Sequence, residues 1–268
     1  MTEASYRKWM VVVAVATLAL TAVLPWQTIF WLIAAVTLCN ALICSRLAEV
    51  PKTNGGGTVG PFAGIVGLAH DRNFGVLGFS SGLFTVGQYN FLTYLPSFMR
   101  EAAQASQEIA SLTLGLAQAA SAVGRIGWGV LSDLAFTGRR KGLVVALCLA
   151  ASAFLAAMAA VGSIWGLVAG IGIAVLLGLT MVSYASLMQA MAVESVAPEH
   201  AGSSIGYLTI GTASGSMIGP PLFGAVIDAT GRFADGWLMT AAIVAGGVAL
   251  FAYGFRESSA IEADPTIP

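Results

Sequence analysis

Charge is what this chain has least of. Twelve Lys/Arg and thirteen Asp/Glu make up 9% of its 268 residues, where a soluble domain carries about a quarter. That scarcity excludes an ordinary soluble domain. The net charge of −1 provides no basic field for a nucleic-acid partner. Cysteine is scarce too. Cys39, Cys44 and Cys148 are odd in number and lack metal-ligand spacing; each falls in an apolar run, where a small buried residue is expected. The two histidines, His70 and His200, have no metal-ligand companions nearby, so neither a metal nor a cofactor is expected. There is no Gly-Lys-Ser/Thr phosphate loop, which argues against ATP-powered work. No acidic residue falls in the middle of a long apolar run, and no nucleophile–base pair stands out at such depth.

What the chain has instead is apolar length. Hydrophobic residues are 57% of it and its mean hydropathy is +0.83. They gather in runs long enough to cross a ~30 Å hydrocarbon layer as helices rising about 1.5 Å per residue. These predict eight spans, 9–25, 27–45, 74–98, 107–133, 142–161, 165–192, 201–227 and 236–255. The first follows Arg7-Lys8 without a small-residue cleavage site, so it reads as a retained helix rather than a signal peptide. Between the second and third spans, Arg46 to Arg72 is polar and Gly-rich and reads as a linker that can hold a short surface helix.

Charge placement orients the spans. The link between the fourth and fifth carries Arg139-Arg140-Lys141, and loops that retain Lys/Arg stay on the cytoplasmic side. With the spans alternating from there, nine of the twelve basic residues fall inside: Arg7, Lys8, Arg46, Lys52, Arg72, Arg139, Arg140, Lys141 and Arg256. Arg100 and Arg232 fall outside, and Arg125 lies within a span. Both termini are therefore expected to be cytoplasmic. Trp26, Trp165 and Trp237 are expected at the outer interface, and Trp9 and Trp128 at the inner one.

The basic link belongs to a longer pattern, Gly129-Val-Leu-Ser-Asp133-Leu-Ala-Phe-Thr-Gly138-Arg139-Arg140-Lys141. It resembles the cytoplasmic loop signature of the major facilitator superfamily. Leu134 replaces the basic residue that often follows the Asp, and two extra residues separate Asp133 from Gly138. Glu194-Ser-Val-Ala-Pro-Glu-His-Ala-Gly202 is similar to the family's inner turn between the tenth and eleventh helices. There His200 stands in place of a more usual Arg and carries less charge at neutral pH. Gly219-Pro-Pro-Leu-Phe-Gly224 and Asp228-Ala-Thr-Gly231 look like the end of the eleventh helix.

The resemblance implies an all-α polytopic membrane protein, a major-facilitator-like bundle of about eight transmembrane helices, incomplete relative to the family's twelve in two pseudo-repeated halves. Residues 1–45 would be the last two helices of an incomplete N-terminal half and 46–72 the cytoplasmic central linker. Residues 73–257 would be the C-terminal six-helix half and 258–268 a cytoplasmic tail. A truncated or mis-started product is the expectation that follows. The implied activity is secondary active transport of a small organic solute, neutral or anionic, by alternating access in a plasma or bacterial inner membrane. The implied partners are the bilayer, the solute and a coupling ion, with no nucleic acid. Two alternatives stand beside it: a membrane-inserted fragment without independent transport, and, less favoured, an intramembrane enzyme.

Two sets of site residues follow. The gating set is Gly129, Asp133, Gly138, Arg139, Arg140 and Glu194. In it Asp133 faces the positive end of the helix starting near Gly202, and Glu194 pairs with Arg139 or Arg140, contacts that must break between two states. A plain topological anchor is the other reading of the basic triplet. The cavity set is Gln88, Tyr89, Asn90, Tyr94, Gln118, Arg125, Ser183 and Tyr184, with Gln189 beside it. Polar side chains at that depth face protein or a water-filled path rather than lipid. Arg125 either attracts an anion or completes the gate. Gly211, Gly215 and Gly219 recur every four residues and read as a helix-packing face, and Pro220-Pro221 should kink that helix.

Overall fold

The computed structural model describes residues 26–45, 61–135, 140–161, 166–197 and 200–256. The chain divides into two compact units, 1–57 and 58–268. In the first, α1 (Trp26–Cys44) is an apolar helix whose described side chains are largely uncovered by protein. Cys39 is exposed on it, against the buried position its run suggested. The span expected at 9–25 lies outside the described residues.

The second unit holds α2 (Pro61–Ala69), α3 (Arg72–Glu101), α4 (Gln107–Ala135), α5 (Lys141–Met158), α6 (Gly166–Leu177), α7 (Ala185–Glu194), α8 (Ala201–Thr230) and α9 (Phe233–Gly254). A π turn, Gly178–Val182, joins α6 and α7 into one long element. Five helical stretches, 107–134, 141–158, 166–194, 201–230 and 233–254, are long and apolar enough to cross a membrane. At 30 residues α3 matches them in length, but Ser80, Ser81, Thr85, Gln88 and Asn90 fill its middle. Within the stretch expected to be a linker, α2 packs on α8, with Ile65 lying over Gly206.

Local signals set the ends. Asp71 caps α3 by accepting from the backbone N–H groups of Asn73 and Phe74 at 2.7 and 3.1 Å. Gly231, at φ +70°, closes α8 with its N–H on the Ile227 carbonyl; the left-handed turn favours glycine there. Both Pro220 and Pro221 lie inside α8, which continues through them.

Lipid is as apolar as these side chains, so close packing and interhelical hydrogen bonds hold such a bundle together. The most extensive pairing is α3 with α8, and glycines make it possible. A Cβ on Gly211 would fall on the Gly78 carbonyl oxygen, and one on Gly215 on the Gly82 oxygen. One on Gly219 would lie 2.9 Å from Asn90 Oδ1 and 3.2 Å from Val86 Cα. The four-residue glycine repeat is thus a packing seam. α3 also meets α9, with Phe84 edge-on to Phe251 and Phe98 edge-on to Trp237, and α9 meets α5, where Ser152 Oγ donates to the Ala241 carbonyl at 2.9 Å. Trp237 is fully buried in this core, edge-on to Phe98 and Phe223 with centroids 5.5 and 4.8 Å away. That corrects its expected place at the interface: aromatic neighbours on α3 and α8 enclose the ring.

Two ties close the body at one corner. Asn73 Nδ2 donates to the Arg256 carbonyl at 2.6 Å, and the Arg256 N–H returns to Asn73 Oδ1 at 2.7 Å. Lys141 Nζ donates to the Phe255 carbonyl at 2.6 Å.

Candidate functional site

A cavity of about 210 Å³ opens between α3, α7 and α8. Ser81, Thr85, Gln88 and Tyr89 come from α3, and Ala185, Met188 and Gln189 from α7, with Tyr184 just before it. Ile205, Leu208, Thr209 and Thr212 come from α8. Helical geometry explains the assembly. Residues 81, 85 and 88 share one face of α3, and 205, 208, 209 and 212 share one face of α8. Every polar group on this wall is a hydroxyl or an amide, and none is charged. Tyr184 is 1% exposed; its hydroxyl lies 3.1 Å from Thr85 Oγ1 and its ring stands edge-on to Phe84. Its position is therefore fixed from both ends.

Next to the cavity, α4 grips the π turn. Trp128 Nε1 donates to the Leu179 carbonyl at 2.6 Å, and Arg125 Nη2 to the Val182 carbonyl at 3.4 Å. Ser183 Oγ also donates to the Leu179 carbonyl. Small residues bring the backbones together: a Cβ on Gly178 would fall on the Ala117 carbonyl, and one on Gly124 would sit 3.0 Å from both the Leu179 oxygen and Ser183.

At the end of the body where α4 and α7 finish, Arg140 joins them. Its Nη2 lies 3.1 Å from Asp133 Oδ1 and 2.7 Å from Glu194 Oε1, and its Nε donates to Glu194 Oε2 at 3.0 Å. The Glu194 contact is a two-pronged fork, the geometry a guanidinium forms best. The Arg140 side chain is only 15% exposed, while those of Asp133 and Glu194 are 63% and 51% exposed. One arginine thus draws two helix ends together.

Residues 77–266 match the family model described as the Major Facilitator Superfamily. The chain belongs to that superfamily. Its fold is similar to that of part of the Escherichia coli fucose:proton symporter FucP, with TM-score 0.67 at 18% identity. FucP in its outward conformation, described as a Major Facilitator Superfamily transporter, gives TM-score 0.66 at 20% identity. In both cases the match covers 86% of this chain and 55% of the other. The chain therefore spans about half the length of these transporters. No curated protein sequence matches it. The family and five apolar helices make it a multi-pass integral membrane protein.

Within this major facilitator fold the residues singled out from sequence separate into groups. Gln88, Tyr89, Tyr184 and Gln189 line the cavity. Asn90 is fully buried and donates to Thr240 Oγ1 at 3.0 Å, and the Tyr94 hydroxyl donates to the Pro220 carbonyl at 2.9 Å; both tie α3 to a neighbouring helix. Gln118 is exposed on α4 and Ser183 is bonded into the π turn, so neither lines the cavity. Arg125 points to the Val182 carbonyl, also outside the lining. Asp133, Arg140 and Glu194 meet as one cluster, and Gly129 sits beside open space on α4. Gly138 and Arg139 lie outside the described residues.

Sequence reasoning missed Ser81, Thr85, Thr209 and Thr212. Their spacing was a usable signal, hydroxyls four apart on α3 and three apart on α8. Short hydroxyl side chains are common in membrane helices, where they return to their own backbone, as Thr85 does to the Ser81 carbonyl at 2.7 Å.

Proposed function

We propose that this chain supplies one wall of a solute path in a secondary active transporter that works by alternating access, coupled to an ion gradient, rather than an enzyme. The observation that carries this is the uncharged, hydroxyl- and amide-lined cavity between membrane-length helices. An ion in such a wall would lose its hydration with no opposite charge to replace it. The lining therefore supports a neutral solute rich in hydrogen-bonding groups over an anion. FucP, with the same fold, is a fucose:proton symporter.

The Arg140 cluster serves in this reading as the latch of one state. It lies on the cytoplasmic side, with both termini, as the nine-to-two split of Lys/Arg argues. Opening at that end parts α4 from α7 and breaks the fork, so the ion pairs bias the closed state. Residues 1–45 and 73–257 are assigned to the two halves and 46–72 to the linker between them.

The test is binding of a panel of tritiated neutral polyols, sugars and carboxylates to the purified chain in detergent, followed by uptake into proteoliposomes with and without a proton gradient. Saturable binding of a neutral member is expected. Gln88→Ala and Gln189→Ala should each weaken it about fivefold, the value of one hydrogen bond. Binding confined to carboxylates, or indifferent to both substitutions, would refute the assignment.

A further inference from the structure

The π turn is the irregular element nearest the cavity, and α4 supplies two donors to its carbonyls. We propose that Trp128 and Arg125 are positioning residues. By holding the Leu179 and Val182 carbonyls they keep the π turn wound, and the π turn sets which face of α7 lines the cavity.

A π turn spends one residue more than an α turn over the same stretch and directs carbonyls out of the i→i+4 ladder, so it persists where outside donors take them. Relaxing it to α geometry would shift the register downstream by one residue, a rotation of about 100° and a translation of about 1.5 Å. Because α6 is keyed to its surroundings, with Ala174 and Leu177 fully buried and a Cβ on Gly170 only 2.9 Å from Val161, the movement falls on α7 and takes Glu194 away from Arg140. In the wound register, positions 184, 185, 188 and 189 face the cavity. In the relaxed register, 183, 184, 187 and 188 take their places. Gln189 leaves, Leu187 enters from its present 1% exposure, and Tyr184 parts from Thr85.

This accounts for the only charged side chain within the described α4 span between Glu108 and Asp133. Arg125 acts on backbone carbonyl geometry, and its charge is not offered to the solute. The consequence for binding rests on the cavity being the solute site; the register itself does not.

The test measures register directly. With Cys39 and Cys44 changed to Ser and Cys148 to Ala, single cysteines are placed at 187 or 189. Their reaction rates with a small water-soluble methanethiosulfonate are then compared in detergent. The parent should react at least ten times faster at 189 than at 187. In the Trp128→Phe/Arg125→Met pair, which keeps bulk and removes both donors, the ratio should invert. A ratio that stays put overturns the proposal. Should the double variant fail to accumulate, each single variant should lower the ratio at least threefold and Arg125→Lys should restore it; single variants with the parent ratio refute it equally. Labelling needs no solute, so a failed solute assignment would show in the binding assay alone.

Discussion

Replacing Gly215 by alanine adds one methyl group where α3 and α8 touch backbone to backbone. The new carbon would fall on the Gly82 carbonyl oxygen, 3.0 Å from its carbon and 3.1 Å from Thr85 Cβ. No side chain can rotate to make room, so the helices must separate along the seam. Overpacking of this kind costs about 1–3 kcal/mol. Gly246 on α9 is the matched control, because a Cβ there meets nothing within 4 Å. Alanine at 246 removes only the entropic cost of a helical glycine, a gain of about 0.5–1 kcal/mol. Gly215→Ala makes the same entropic gain, so the two variants should differ by the overpacking cost alone, about 1–3 kcal/mol. At ~2–4 °C per kcal/mol for a chain of this size, that is a gap of about 2–12 °C in Tm. Cys148 is a built-in reporter: it is fully buried in α5, so with Cys39 and Cys44 changed to Ser, thiol labelling during a heating ramp reads loss of packing. Equal midpoints for Gly215→Ala and Gly246→Ala, or a more stable Gly215→Ala, would refute the seam.

Two further predictions test other contacts. Arg140→Gln should leave α4 and α7 folded but shift the balance toward separated helix ends by about fivefold, since exposed acids meet a largely covered guanidinium at roughly 1 kcal/mol; spin-label distances between positions 134 and 193 would show a new, longer population, and an unchanged distribution would deny the latch. For Asn90 and Thr240, Asn90→Ala should destabilise the chain by about 1–3 kcal/mol and Thr240→Val by about 1 kcal/mol, and the double variant should cost less than their sum; strict additivity in thermal unfolding would mean the bond contributes nothing.

The spans were legible because their signal is long and redundant. The 107–133, 201–227 and 236–255 runs became α4, α8 and α9 with ends moved by no more than three residues. The glycine seam was legible for the same reason, a four-residue period that survives any small error in the boundaries. The π turn was not legible. GLTMV carries no residue that ordinary α geometry rejects, and the donors that favour the turn stand some fifty positions away in α4. Trp237 misled because an indole near the end of an apolar run looks alike whether lipid headgroups or Phe98 and Phe223 surround it. In the cavity, the amides and tyrosines were visible by their rarity. Arg125 and Asn90 were rare too, yet their partners are a backbone carbonyl and Thr240, and rarity alone does not say which way a side chain faces.

The reciprocal bonds between Asn73 and Arg256 mean that the run of helices from α3 to α9 starts and finishes at one point. Once α2 is drawn off α8, any pull transmitted through the chain before α3 or after α9 arrives at that corner, and it meets the body as a torque about a single pivot rather than a stretch across it. The same geometry makes the body permutable. A short bridge from 256 back to 73 would cost little closure entropy, and new ends could be cut between α4 and α5 without unpairing any two helices of the bundle.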